Sequence, residues 1–167
     1  MTRFADGPVV EVATDIAAPP AAVWNLVTDI NLPAGFQDEF QEARWLDGDG
    51  PALGATFVGR NRIGEREWET TSYVVAYEPE REFGWAVSDR DDPGATWTFR
   101  LEPAADGTRL IYHRRLGPGP SGLTRAIAAH PEQEEQIIAA RDEIHRQNMQ
   151  AVLAGIKAIA EGFRSRE

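Results

Sequence analysis

Between residues 8 and 16 apolar and polar positions alternate through the run VVEVATDI, the two-residue period of a half-buried strand. Pro19 and Pro20 follow, where proline's missing N–H costs a helix nothing, and Val23, Trp24, Val27 and Ile30 recur at helical spacing. The pattern predicts a short helix after the first strand, with a second turn over 32–36. From 40 to 116 the period returns to two. Strands are expected over 40–46, 55–63, 68–77, 82–88, 96–102 and 108–116. Their separators carry turn chemistry: Asp47-Gly48-Asp49-Gly50, Gly64-Glu65, Glu78-Pro79, Asp92-Pro93-Gly94 and Asp106-Gly107. Connections this short permit hairpins and leave no room for crossover helices, so this part of the sheet should be antiparallel.

Beyond residue 116 the segment GPGPSG interrupts the sheet, and Leu123 and Ile127 suggest a brief helix over 121–129. Pro131 then opens the longest periodic stretch. Glu132, Glu134 and Glu135 suit its positive end, and Ile137, Ile144, Val152, Ile156, Ile159 and Phe163 define an apolar stripe. A helix of about 30 residues is roughly 45 Å long, and only the sheet is large enough to cover its stripe. The fold class read from the sequence is therefore α+β: a curved seven-stranded antiparallel sheet wrapped around a long C-terminal helix, as one domain over 1–167.

Alternation also separates the two faces of each strand, because charges mark the outer one. Arg60 and Arg62 put Phe57, Gly59 and Asn61 inside; Glu67 and Glu69 put Trp68 and Thr70 inside. By the same rule Phe83, Trp85 and Val87, then Trp97, Phe99 and Leu101, then Leu110, Tyr112 and Arg114 face inward. The stretch 73–77 is apolar in both phases and gives no assignment. An inward face of aromatics reads first as core. The polar minority, Asn61, Thr70, Tyr112 and Arg114, alters that reading, since an unpaired polar group in a dry core costs roughly 2–7 kcal/mol. Such groups imply partners, water or a ligand. Arg114 is open to two simpler accounts, a snorkelling surface residue or a partner for Asp142 or Glu143. On the last helix Arg141, His145 and Asn148 follow at spacings of four and three, either capping one end of a cavity or forming a solvated edge. The candidate ligand-binding set is Phe57, Asn61, Trp68, Thr70, Trp85, Trp97, Phe99, Tyr112, Arg114 and Asn148.

Composition narrows the chemistry. With 42% hydrophobic residues and 26% charged ones, the chain is globular rather than disordered. No apolar run approaches the roughly 20 residues of a membrane span, residues 1–7 lack the features of a secretory signal, and a cytoplasmic location is expected. The absence of cysteine excludes disulfides, thiolate metal sites and cysteine nucleophiles. The net charge of −10 repels phosphate backbones and anionic lipid, so neither nucleic acid nor a membrane surface is an expected partner. His113, His130 and His145 have no metal-ligand spacing. Gly117, Gly119 and Gly122 satisfy G-x-G-x-x-G, yet no βαβ unit surrounds them, and Pro118 and Pro120 remove N–H groups a phosphate needs. Ser121 lacks the final glycine of a nucleophile elbow. No cofactor and no metal are expected, and no catalytic residue can be assigned.

Four stretches carry a family likeness: IAAPPAAVWNLVTDI (16–30), GATFVGRNRIGEREWETTSYVV (54–75), EFGWAVSD (82–89) and NMQAVLAGIKAIAEG (148–162). Together they resemble the polyketide cyclase/dehydrase branch of the START and birch-pollen-allergen-like helix-grip superfamily, or SRPBCC. The resemblance implies a helix-grip fold with an apolar cavity between sheet and helix. It implies no single reaction, because relatives include aromatase/cyclases as well as carriers of lipids, hormones or quinones. Two readings follow. In one the protein binds a small apolar or aromatic molecule, lipid- or polyketide-like, against Trp68, Trp85 and Trp97, with Asn61, Tyr112 and Arg114 orienting its polar end. In the other Tyr112 and Arg114 polarise a ketone while a neutral His145 or a water removes a proton, as in a cyclase or dehydratase.

Overall fold

The computed structural model describes residues 2–46, 48 and 50–165, with side chains through residue 162. Seven strands form one antiparallel sheet: β1 (Val9–Ile16), β2 (Phe40–Trp45), β3 (Thr56–Ile63), β4 (Arg66–Glu78), β5 (Glu82–Val87), β6 (Ala95–Ala104) and β7 (Gly107–Leu116). Their order across the sheet is β1-β7-β6-β5-β4-β3-β2. The short turns make β2 to β7 a meander of hairpins, and β1 returns to pair with β7, Val10 opposite Arg114. Helix α1 (Pro20–Val27) and a 3-10 turn (Leu32–Gly35) link β1 to β2; α2 (Gly122–Ala129) and α3 (Glu134–Ser165) follow β7. The helix-grip architecture expected from the sequence is thus observed. The aspartates of the expected 47–50 turn, and the side chain of Phe163, lie outside the described residues. Among the described residues no helix is long and apolar enough to cross a membrane.

The stretch 73–77 resisted assignment because β4 carries a bulge there. Val74 pairs with Trp85 but Ala76 pairs with Gly84, so the ladder shifts by one residue. Before the shift Ser72 and Val74 are buried; after it Tyr77 packs edge-on against Trp24 and Phe83. An extra residue in one strand reverses the facing of everything beyond it.

Helix α3 needs a correction. Its buried seam runs through Ile138, His145, Met149, Val152, Leu153, Ile156 and Ala160, whereas Ile144 is 43% exposed. The stripe expected from the isoleucines was one residue out of phase over the first half of the helix, because a histidine occupies a buried position there. The C-terminal half of α3 closes against the core through Leu153, Ile156 and Ala160. A Cβ on Gly155 would meet the Phe36 ring at 2.5 Å, so only glycine lets the segment between α1 and β2 lie flush on α3. The N-terminal half meets β6 and β7 through His145 and Asp142 and borders a cavity through Arg141, His145 and Asn148.

Candidate functional site

Side-chain size along the inner face explains the cavity. On β3 and β4 the inward positions include, besides Phe57 and Trp68, the smaller Gly59, Asn61, Thr70 and Ser72, while β5, β6 and β7 present Phe83, Trp85, Phe99 and Tyr112. The long helix spans both halves of this uneven surface. The resulting space is about 840 Å³, within the range of small-molecule sites.

One wall is a continuous run of rings. Phe57 meets Trp85 at 6.0 Å, Trp85 meets Phe99 at 6.1 Å, and Phe99 stacks on Tyr112 at 3.9 Å and 16°. Trp97 packs on Tyr112 at 5.7 Å and on His145 at 4.9 Å. Polar side chains share the lining. Asn61, Thr70, Ser72 and Asn148 line the space, and among the described residues none of their side chains is hydrogen-bonded to the protein. Tyr112 is 5% exposed, and burial pushes its hydroxyl far above the usual phenol range, which keeps it a protonated donor. At one end Arg141 holds Glu39 in a bidentate pair at 2.8 and 2.7 Å, and both side chains belong to the lining. Charge-assisted forks of this kind fix geometry, and here the fork ties α3 to the entry of β2.

Of the candidate residues, Phe57, Asn61, Trp68, Thr70, Trp85, Trp97, Phe99, Tyr112 and Asn148 all line this cavity, as do Arg141 and His145. Arg114 does not, and its expected contact with a guest is corrected. Its side chain is fully buried behind the wall. Nη2 donates to Asp142 Oδ1 at 2.7 Å and to the Pro8 carbonyl at 3.1 Å, and Nη1 lies 2.8 Å from His145 Nδ1. The alternative of an Asp142 partner is the one observed. Burial of so large a cation requires such partners.

Arg114 nevertheless acts on the cavity through His145. A guanidinium can only donate, so Nδ1 must accept and the imidazole proton resides on Nε2. Burial, followed by the positive fields of Arg141 and Arg114, holds this histidine well below its ordinary range, so the ring is neutral. It faces the cavity as a hydrogen-bond donor and has no free lone pair with which to act as a base. A measurable pH dependence follows. An unfolded histidine takes up its proton near pH 6.5, whereas buried His145 does not. The unfolded chain therefore binds more protons below that pH, and stability falls on acidification by about 1.4 kcal/mol per pH unit. His113, lowered chiefly by burial, adds to the same slope. Urea unfolding of His145→Asn, which keeps an acceptor for Arg114, should lose a large part of the decline between pH 7 and 5.5; an unchanged decline would contradict the neutral, buried assignment.

Several lining residues were not foreseen. Arg66 and Ser72 share the inward phase of Trp68 and Thr70, and extending that alternation one step each way would have found them. Ile30, Pro33 and Gln37 precede β2, and Ser121, Gly122 and Leu123 open α2; irregular segments offer no phase to read.

With this geometry in view, residues 8–161 match the model of a family described as polyketide cyclase / dehydrase and lipid transport. No curated protein matches the chain. Among solved structures, the polyketide-cyclase-like protein Cgl2372 of Corynebacterium glutamicum is 31% identical, with 92% of this chain and 91% of that one covered and a TM-score of 0.68. The di-domain aromatase/cyclase StfQ of the steffimycin biosynthetic pathway gives a TM-score of 0.69 at 15% identity, over 94% of this chain and 51% of that one. Major latex-like protein 151 of Panax ginseng gives 0.62 at 9% identity, over 92% of this chain and 97% of that one. The last two likenesses concern the fold alone.

Proposed function

The chain belongs to the polyketide cyclase/dehydrase and lipid transport family, and from that premise we propose that it binds a small, largely apolar or aromatic molecule, lipid- or polyketide-like, between the sheet and α3. The 167 residues act as one domain, in the cytoplasm. The observation that carries this reading is the cavity of about 840 Å³ lined by a run of aromatic rings and by Asn61, Thr70, Ser72 and Asn148, whose side chains are unpaired among the described residues. Rings supply contact area at little entropic cost, and a few unpaired donors and acceptors orient a guest. A guest burying about 300 Å² of apolar surface gains roughly 7 kcal/mol from transfer alone, part of which association consumes.

Titration with N-phenyl-1-naphthylamine tests the reading. Binding inside the cavity should quench Trp85 and Trp97 and raise probe emission, with a dissociation constant on the order of micromolar. Native mass spectrometry should detect one bound molecule per chain. Neither signal at saturating probe would remove the proposal.

A second reading, an aromatase/cyclase or dehydratase, is favoured by one feature. Tyr112 and His145 flank Trp97, and both offer a neutral donor where a ketone oxygen could be polarised. The role expected of Arg114 then passes to His145 Nε2–H, and the proton acceptor must be a water or the substrate itself. Tyr112→Phe separates the two readings, since a catalyst loses turnover with binding retained.

A further inference from the structure

We propose that the guest is an amphipathic organic anion, its apolar or aromatic body inside the cavity and its charged group held at the mouth between Arg66 and Arg125; this deepens the binding reading above and rests on it. Lining residues become solvent-exposed at Ile63, Arg66, Gly122 and Arg125, the part of the rim we take as the mouth, and also at Asp29, Glu69 and Ser88. Arg66 occupies the inward phase of β4 and its guanidinium lies over the Trp68 ring, 5.2 Å from the centroid. That stacking holds it at the rim of the aromatic surface. Arg125 projects from the first turn of α2. A single point beside Gly122 is 3.6 Å from Arg66 Nη2 and 3.9 Å from Arg125 Nη2, so both forks lie within reach of one group seated there.

Two like charges brought this close ordinarily share an acid. Arg60, Arg81, Arg100, Arg109, Arg141 and Arg146 each reach a carboxylate within 4.0 Å. Among the described residues Arg66 and Arg125 reach none, as is true also of Arg44, Arg62, Arg90 and Arg115, none of which lines the cavity. The acids on the cavity wall are Asp29, Glu39 and Glu69. Glu39 is taken by Arg141, Asp29 accepts from the Asn31 backbone, and Glu69 lies in the outer phase of β4, opposite Arg60. Ser121, at the N-cap of α2, belongs to the lining next to the pair. Two guanidinium forks form a set of donors with no acceptor, which is the arrangement that recognises a carboxylate or sulfonate. In a chain of net charge −10 this pair concentrates positive charge on an exposed part of the cavity rim.

A matched pair of probes tests the inference: 1-anilinonaphthalene-8-sulfonate, and N-phenyl-1-naphthylamine, the same aromatic skeleton without the sulfonate. Wild-type protein should bind the sulfonate about tenfold more tightly, an advantage that 0.5 M NaCl should largely screen away. The double variant Arg66→Gln/Arg125→Gln should lose that advantage while its affinity for the neutral probe stays within about twofold of wild type. Gly122→Asp, which installs a carboxylate beside the two forks at a position where a Cβ meets them at ordinary contact distances, should have the same selective effect. Equal affinity of wild type for both probes, or a variant that weakens both alike, overturns the anion assignment and leaves the cavity reading standing. Failure of both probes to bind wild type overturns the cavity reading and this inference with it.

Discussion

Asp142→Ala is expected to lower stability by about 3–5 kcal/mol, while Arg114→Met costs less than half as much. The asymmetry follows from where each charge resides. Arg114 is wholly inaccessible to water and Asp142 keeps 21% of its side chain exposed. Removing the aspartate strands a buried guanidinium whose Nε already lacks a partner, leaving it only the neutral acceptors of Pro8 and His145. Removing the arginine instead lets Asp142 hydrate, and the Pro8 carbonyl still accepts from the Leu116 amide at 2.9 Å. The remaining loss is the bond to His145, about 1 kcal/mol, with Met filling most of the vacated volume. For a chain of this size Asp142→Ala should melt roughly 10 °C or more below wild type. The double variant should resemble Arg114→Met alone, because no buried charge is left to strand. Chemical denaturation of the four proteins decides the matter, and an Arg114→Met loss equal to that of Asp142→Ala would refute the account.

Arg114 also marks the boundary of what the sequence made legible. Alternation along β7 correctly turned it inward. Whether an inward residue meets a cavity or the back of a helix depends on the phase of the opposing element, and α3 conceals its phase. A reader who ranks positions by hydrophobicity chooses Ile144 and rejects His145. The protein does the reverse, because Arg114 supplies the hydrogen bond that makes a histidine tolerable there. Pairings across 31 residues leave no periodic trace in a single sequence. The strands were legible for the opposite reason: their charges fall on one face and their turns are marked by Gly, Pro and Asp. Legibility failed locally on β4, where the bulge at Val74 and Ala76 reverses the phase. The cavity itself could be anticipated from contrast, since Gly59, Asn61, Thr70 and Ser72 on β3 and β4 are smaller than the rings that β5 to β7 turn inward. Its ends could not, since they are built from the Leu32–Gly35 turn and the start of α2.

That contrast in side-chain size implies that the cavity can be closed from within at little structural cost. Ser72 is 3% exposed, lines the cavity and makes no side-chain hydrogen bond among the described residues; Thr70 lies two residues before it in the same phase and is likewise unpaired. Replacing them with Phe and Trp therefore breaks no polar contact and extends the new rings into open space. The double variant Thr70→Trp/Ser72→Phe should weaken N-phenyl-1-naphthylamine binding on the order of a hundredfold, since the rings occupy the volume the probe requires. Its urea midpoint should stay at the wild-type value or rise, because filling a cavity commonly adds about 0.5–2 kcal/mol. The reverse substitution, Trp85→Ala, enlarges the space and removes the ring that links Phe57, Phe83 and Phe99. It should cost about 3–5 kcal/mol. The pair of variants thus separates occupancy from folding: one loses the guest and keeps the fold, the other weakens the fold while leaving room for a guest. Should the filled variant remain folded and bind the probe as tightly as wild type, the guest lies elsewhere on the protein, and the space between sheet and helix is a packing defect rather than a binding site.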